Sequence, residues 1–275
     1  MNSNFPLLLE LENLDGGKKI FFASDFHLGT PNEKSSLERE KLIVKWLEDI
    51  KSQASHIFLL GDIFDFWFEY KHCIPKGFHL FKAKITELRE AGIPIYFFTG
   101  NHDMWMFDYF PKEYGIPVLR KNQILKVADK KLLIGHGDGL GPGDRFYKFL
   151  KAFFANKICQ FLFEWIHPNL GMALGKFWSG RSRLANSKND ESFHEEDERL
   201  LHYCINTLKK NQFDYFVFGH RHLPLDLKIS DESRYINLGE WVNHFTFATF
   251  DGIEMELKSY AGKNDLIIRK DFSQR

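Results

Sequence analysis

Cysteine is scarce in this chain of 275 residues: Cys73, Cys159 and Cys204 stand far apart, with no CxxC pair. Their spacing excludes a disulfide framework and a thiolate zinc knuckle, and it fits a reducing compartment. Long apolar runs are also missing. None approaches the ~20 residues needed to cross a bilayer. The opening MNSNFPLLLELENLDGG has no basic start, and its apolar stretch is too short for a secretion signal. The expected location is therefore cytoplasmic, in solution or attached to a membrane from that side. Excess charge is absent as well. With 37 basic and 37 acidic residues the formal net charge is zero, so general attraction to nucleic acid is not expected. No internal repeat and no low-complexity linker interrupts the chain.

Apolar and aromatic residues are abundant. Hydrophobic residues make up 44 %, and Phe alone occurs 29 times. That is enough to bury the core of one large α/β domain carrying an insertion. Five short, continuous apolar runs read as strands covered on both faces: residues 19–24, 56–61, 93–100, 131–137 and 214–220. Helical patterns lie between them. One follows Ser35, with Ser35 and Glu38 spaced as a capping box and with Leu37, Val44, Leu47 and Lys51 expected on one face, Ile43, Trp46 and Ile50 beside it. A second runs over about 78–91 and stops at Gly92. From about 141 the chain turns aromatic, with interspersed lysines, and Gly171, Gly175 and Gly180 are expected to break it up. The expected division is a core over 1–140, a helical insertion over 141–195, and the remainder of the core over 196–275.

The strand ends carry the chemistry. The first run ends in Asp25-Phe26-His27 and the second in Gly61-Asp62. The third ends in Gly100-Asn101-His102-Asp103, the fourth in Gly135-His136-Gly137-Asp138 and the fifth in Gly219-His220-Arg221-His222. In open α/β sheets functional groups gather at the carboxyl ends of strands. Mixed carboxylate, imidazole and amide donors suit Mn²⁺, Fe²⁺ or Zn²⁺, and do not suit an all-oxygen or all-thiolate site. Asp25, His27, Asp62, Asn101, His136, His220 and His222 are too many donors for one ion. They suit two ions sharing a carboxylate, a recurrent arrangement for phosphoester hydrolysis. Any one of these histidines alone is more often a packing residue, and His56, His72, His79, His167, His194, His202 and His244 are read that way. Arg221 is expected to point to solvent, the charged run 188–199 to be a solvated face, and Asp65 and Asp138 to support the ligands.

The ordered series D-x-H, GD, GNHD, HGD and GH-x-H resembles the calcineurin-like metallophosphoesterases. FASDFHLG, LLGDIFDFWF, HGDGLGPGDRFYKF and LANSK resemble, more narrowly, the UDP-2,3-diacylglucosamine diphosphatases of lipid A synthesis. The resemblance implies an α/β fold of four layers, two mixed β-sheets flanked by helices, with a helical lid. It implies two divalent ions, manganese being expected. Asp25, His27, Asp62 and His222 would hold one, and Asp62, Asn101, His136 and His220 the other. It implies a UDP-linked lipid sugar as partner, split to UMP and a diacylglucosamine 1-phosphate, and a peripheral position on the cytoplasmic face of the inner membrane. His102, Asn101 and Asp103 are the expected catalytic group, with Asp103 orienting His102. Asn101, Asp144, Tyr147, Ser187 and Lys188 are the expected substrate contacts. Phe149, Phe153, Phe154, Phe161 and Phe163 would line an acyl pocket, and Lys148, Lys151 and Lys157 would face anionic headgroups. One departure stands out: well-known members read GNRD where this chain has His102. A soluble nucleotide or phosphate ester is therefore an alternative substrate, and a non-catalytic scaffold a third reading.

Overall fold

In chain order the elements are β1 (Leu7–Leu11), β2 (Lys19–Ala23), α1 (Glu33–Ile50), β3 (Ala54–Leu60), α2 (His79–Glu90), β4 (Ile95–Phe98), α3 (Tyr109–Tyr114), β5 (Val118–Leu119), β6 (Gln123–Val127) and β7 (Lys130–Ile134). Then follow α4 (Arg145–Ala155), α5 (Lys157–Glu164), α6 (Pro168–Asp190), α7 (Arg199–Leu208), β8 (Tyr215–Phe218), β9 (Pro224–Ser230), β10 (Ser233–Leu238), β11 (Thr246–Phe250), β12 (Met255–Ser259) and β13 (Ile268–Asp271). This computed structural model describes residues 5–273 apart from 144 and 191, and the side chains of 15 and 182–190 are not described.

The strands form two mixed sheets, one of seven strands ordered β1-β6-β7-β8-β10-β9-β13 and one of six ordered β12-β11-β2-β3-β4-β5. Successive strand residues point to opposite faces, and this alternation builds the layers. Ile20, Phe22, Phe58, Leu60 and Phe98 of the six-stranded sheet meet Leu125, Leu132, Ile134, Val217 and Ile236 of the other. Their neighbours Phe21, Ile57, Leu59 and Phe97 face outward onto Ile43, Trp46 and Leu47 of α1 and Ile85 and Leu88 of α2. On the far side, Leu133, Phe216, Phe218 and Tyr235 pack under Leu200, Leu201 and Cys204 of α7. The result is four layers, helix–sheet–sheet–helix. Each such buried side chain contributes about 1.5–3 kcal/mol of transfer free energy.

Several local expectations are corrected. α1 is capped by Asn32, whose side chain accepts from the Ser35 amide, so Ser35 lies inside the first turn and its box with Glu38 does not form. The buried face of α1 is Ser36, Arg39, Glu40, Ile43, Trp46, Leu47 and Ile50, and Leu37 and Val44 are only half-buried. α6 runs unbroken through Gly171, Gly175 and Gly180. Two of these glycines serve close approach. A Cβ at Gly171 would lie 2.0 Å from the Tyr70 hydroxyl, and one at Gly175 2.2 Å from the Phe66 ring. The strands after residue 220 were not anticipated.

Candidate metal centre

Every expected donor sits just past the carboxyl end of a strand. Asp25 and His27 follow β2, Asp62 follows β3, and Asn101 and His102 follow β4. His136 follows β7, and His220 and His222 follow β8. β2, β3 and β4 run parallel, as do β7 and β8, so both sheets send their ends to one edge of the sandwich.

The backbone there is held in an uncommon conformation. Eight described non-glycine residues have positive φ, and five of them are Asp25, His27, Asp62, His220 and His222, at 44–67°. Such backbone costs about 1–3 kcal/mol per residue and persists only where its surroundings impose it. Here they do. The amides of Asp25 and His27 donate to the carbonyls of Gly61 and Asp62, at 3.0 and 2.9 Å. The buried Arg39 guanidinium donates to the carbonyls of Phe26, His27 and Thr30, clamping the first loop from below. The His220 amide donates to Asp25 Oδ2 at 3.0 Å, and the His102 amide to Asp62 Oδ1 at 2.8 Å. Gly100 is required beside it: a Cβ would stand 2.1 Å from that same oxygen.

With those contacts made, the remaining donor atoms aim at one another. His27 Nε2 and His222 Nε2 are 3.1 Å apart, and Asp25 Oδ1 lies 3.3 Å from the latter and 3.7 Å from the former. Asp62 Oδ2 lies 3.9 Å from His27 Nε2 and 3.4 Å from His136 Nε2, so this one oxygen faces both groups. His136 donates from Nδ1 to the Leu60 carbonyl at 2.7 Å, which turns Nε2 toward Asn101 Oδ1 at 3.3 Å. The His220 ring stands 5.3 Å from that of His136.

The electrostatics describe a hole for positive charge. Burial opposes ionisation of Asp25 and Asp62, yet the surrounding imidazoles hold both carboxyls below the usual range. Burial alone would lower His136, but Asp62, with Asp25 and Asp138 behind it, pushes it up to about 10. Because Nδ1 already donates to Leu60, the extra proton sits on Nε2, where the oxygens converge. His220 falls to about 4, through burial and the charge on His136. Asp25 Oδ1 is buried and accepts no hydrogen bond. An unbonded carboxylate oxygen, facing imidazole nitrogens and an amide oxygen, fits divalent transition-metal ions that displace protons from the same lone pairs.

Two groupings meet metal-ligand geometry among the described His, Cys, Asp and Glu: Asp25–His27–Asp62–His222 and His27–Asp65–His102. The second shares His27 with the first and uses its other nitrogen, since Asp65 Oδ1 lies 3.7 Å from His27 Nδ1. A carboxylate behind a metal-facing imidazole is a common way of orienting it. On the other side of the first group, Asp62 Oδ2 faces His136 Nε2, which in turn faces Asn101 Oδ1, with the His220 ring beside it.

Other expected residues fall as follows. Asp103 does not touch His102. Its oxygens accept from the amides of Gly100 and Ile63, both at 2.7 Å, and so hold the Asp62 and Asn101 loops together. His102 Nδ1 instead lies 3.0 Å from the Asp65 carbonyl and 2.9 Å from Ser179 Oγ. Asp138 receives the Tyr147 hydroxyl at 2.8 Å and Lys151 Nζ at 2.7 Å, tying α4 to the His136 loop. Lys151 thus points inward rather than to headgroups. Arg221 does not point to solvent, because it pairs with the buried Glu198 at 2.9 Å. Asp144 lies outside the described residues, as do the side chains of Ser187 and Lys188. Arg39, Ser179 and Trp178 were missed; a serine or tryptophan inside an aromatic helix gives no sequence signal of a site.

A cleft of about 730 Å³ opens directly from Asn101 and His102 between α4 and α6, lined by Phe66, Trp105, Phe146, Leu150, Phe154 and Trp178 among others. Of the five phenylalanines expected there, only Phe154 lines it. Phe163 is packed against Phe68 and Trp105, and Phe149, Phe153 and Phe161 are exposed outside the cleft.

The profile of the calcineurin-like phosphoesterases matches residues 18–224. The chain belongs to this family. The phosphoesterase is also 33 % identical over 254 residues to the UDP-2,3-diacylglucosamine hydrolase of Porphyromonas gingivalis, covering 88 % of this chain and 97 % of that one. The enzymes of the same name from Proteus mirabilis and Yersinia pseudotuberculosis are 28 % and 26 % identical. The former match covers 74 % of this chain and 81 % of that protein, the latter 80 % and 90 %. Family and donor set together make the phosphoesterase a metal-dependent hydrolase.

Proposed function

We propose that this phosphoesterase hydrolyses the pyrophosphate of UDP-2,3-diacylglucosamine, releasing UMP and 2,3-diacylglucosamine 1-phosphate. The observation that carries the reading is the junction of a two-metal donor set with an apolar cleft at Asn101 and His102. A sugar nucleotide with two acyl chains needs both. The 33 % identical relative that bears this substrate's name supports it.

Asp25, His27, Asp62 and His222 would hold one ion, and Asp62, Asn101, His136 and His220 the other. When bound, such a pair supplies positive charge for phosphate oxygens and a water of lowered pKa; manganese is the expected metal. The chain does the rest. Asp62 Oδ1 and His136 Nδ1 are fixed by the His102 amide and the Leu60 carbonyl, so the donors facing the substrate are preorganised. The water oxygen bonds to the α-phosphorus as the bridging P–O bond breaks. His102 offers Nε2, the ring atom not engaged by Asp65 and Ser179, to take up a proton released in the reaction. Burial and the neighbouring imidazoles, outweighing the charge of Asp62, lower His102 to about 4, so it rests neutral at pH 7. Tyr147 stands at the cleft wall next to His220 and is the expected sugar contact.

Outside the cleft, Phe149 of α4, Ile158, Phe161 and Leu162 of α5, and Trp165 just past its end are exposed, while no helix among the described residues is long and apolar enough to cross a membrane. Together they suit shallow insertion into the cytoplasmic face of the inner membrane, where the lipid substrate resides.

The test is UMP release from the diacylated sugar nucleotide by manganese-loaded protein, beside the same nucleotide without acyl chains and bis(p-nitrophenyl) phosphate. Cleavage of the diester but not of the acylated nucleotide overturns the lipid reading. His102, in place of the arginine of well-known members, supports a second reading, a soluble nucleotide or phosphate ester; equal efficiency without acyl chains would favour it.

A further inference from the structure

Ser179 joins the helical insertion to the catalytic edge. It lies 77 positions from His102 in sequence, on α6, and is buried, with Oγ 2.9 Å from His102 Nδ1. The other partner of Nδ1 is the Asp65 carbonyl at 3.0 Å, which can only accept. Nδ1 therefore carries the proton and shares it between the core and the helix, and the lone pair is left on Nε2. The flanking residues Trp178 and Arg181 line the apolar cleft with Ser179 itself. α6 can come this close because Gly175, one turn earlier, lies against the Phe66 ring with no room for a Cβ.

We propose that Ser179 is a positioning residue that holds the His102 imidazole in register with the phosphate from the wall of the acyl cleft, so that the insertion completes the catalytic edge. The proposal rests on the phosphoesterase reading of the site and deepens it. It links occupancy of the cleft to alignment of His102, a route by which binding energy from remote parts of a substrate is used at the reacting centre.

The test is a double-mutant cycle of Ser179→Ala and His102→Ala in metal-loaded full-length protein. It is run on the acylated nucleotide and on bis(p-nitrophenyl) phosphate, with metal content measured for each variant. Ser179→Ala should lower kcat about tenfold with KM within about twofold, the scale of a misplaced catalytic group. Metal content should not change, and Ser179→Thr should recover most of the loss. In the His102→Ala background Ser179→Ala should cost less than about twofold, since residues acting through one another are not additive. An equal loss in both backgrounds overturns the proposal. So does a raised KM for the acylated nucleotide with kcat unchanged, which would make Ser179 a cleft wall only. If the acylated nucleotide is not cleaved at all, the lipid reading fails, and the cycle on the chromogenic diester still decides the role of Ser179.

Discussion

The strand-end cluster and the helical insertion lie against each other yet treat water in opposite ways. At the strand ends, ionisable side chains are buried: Asp25, His27, Asp62, Asp103 and His136 are all nearly inaccessible. In α4–α6, apolar side chains are exposed, with Phe146 at 73 % and Trp165 at 77 %. Each arrangement would be destabilising if the molecule were only a folded object. Burying unpaired charge costs several kcal/mol per ion, and exposed aromatic patches invite association. Each makes sense if something else completes the surface: cations at the strand ends, acyl chains and a lipid boundary at the helices.

The comparison is broken most severely by removing what completes the core. Chelation should abolish turnover of the acylated nucleotide and the chromogenic diester alike, with recovery on adding manganese. Asp62→Ala should lower kcat on both substrates by about 10³-fold or more, on the scale of losing a preorganised charge at the transition state. Steady-state kinetics with metal analysis checks both. If the diester were still turned over at the wild-type rate, the two-ion assignment would fail.

Damage to the insertion should separate the substrates. Phe154→Ala with Trp178→Ala should raise KM for the acylated nucleotide by about tenfold or more, since each truncation removes apolar contact worth about 1 kcal/mol or more. Diester turnover should stay within about twofold. A smaller loss is expected from Phe161→Glu with Trp165→Glu, on the outer face. Flotation with anionic vesicles should show weaker binding, while detergent-dispersed substrate is still cleaved.

The smallest effect sharpens the core side. Glu240 is buried, and its carboxylate accepts from the amides of Val242, Asn243 and His244 and lies 2.7 Å from His244 Nδ1. Burial opposes its ionisation, but His244 and the amides outweigh that and hold the carboxyl below the usual range. A depressed carboxylate stabilises above its unfolded pKa of about 4.3 and loses that contribution as pH falls through the folded value. Glu240→Gln should therefore cost about 1–2 kcal/mol at pH 7 and progressively less in acid, read by denaturant unfolding.

The two regions also differ in how far they could be read from residues alone. The donors were legible because five strand ends repeat one chemistry, and no packing argument produces that coincidence. Their positive φ values were not legible. Left-handed backbone at Asp25 or His27 is imposed by distant groups such as the Gly61 carbonyl and Arg39, which local sequence does not announce. The strands after residue 220 went unread for a different reason. β9 alternates, with Leu225, Leu227 and Ile229 buried, whereas the strands sought were continuous apolar runs. In the insertion, composition marked an aromatic helical segment, but which ring faces the cleft depends on the packing of α4 against α6. Phe149 and Phe154 look alike in sequence and end on opposite sides.

Anomalous X-ray scattering from crystals of manganese-loaded protein measures the central assignment most directly. Two peaks should flank Asp62, one beside Asp25, His27 and His222, the other beside Asn101, His136 and His220. A single peak among His27, Asp65 and His102, or none in the cleft, would contradict it.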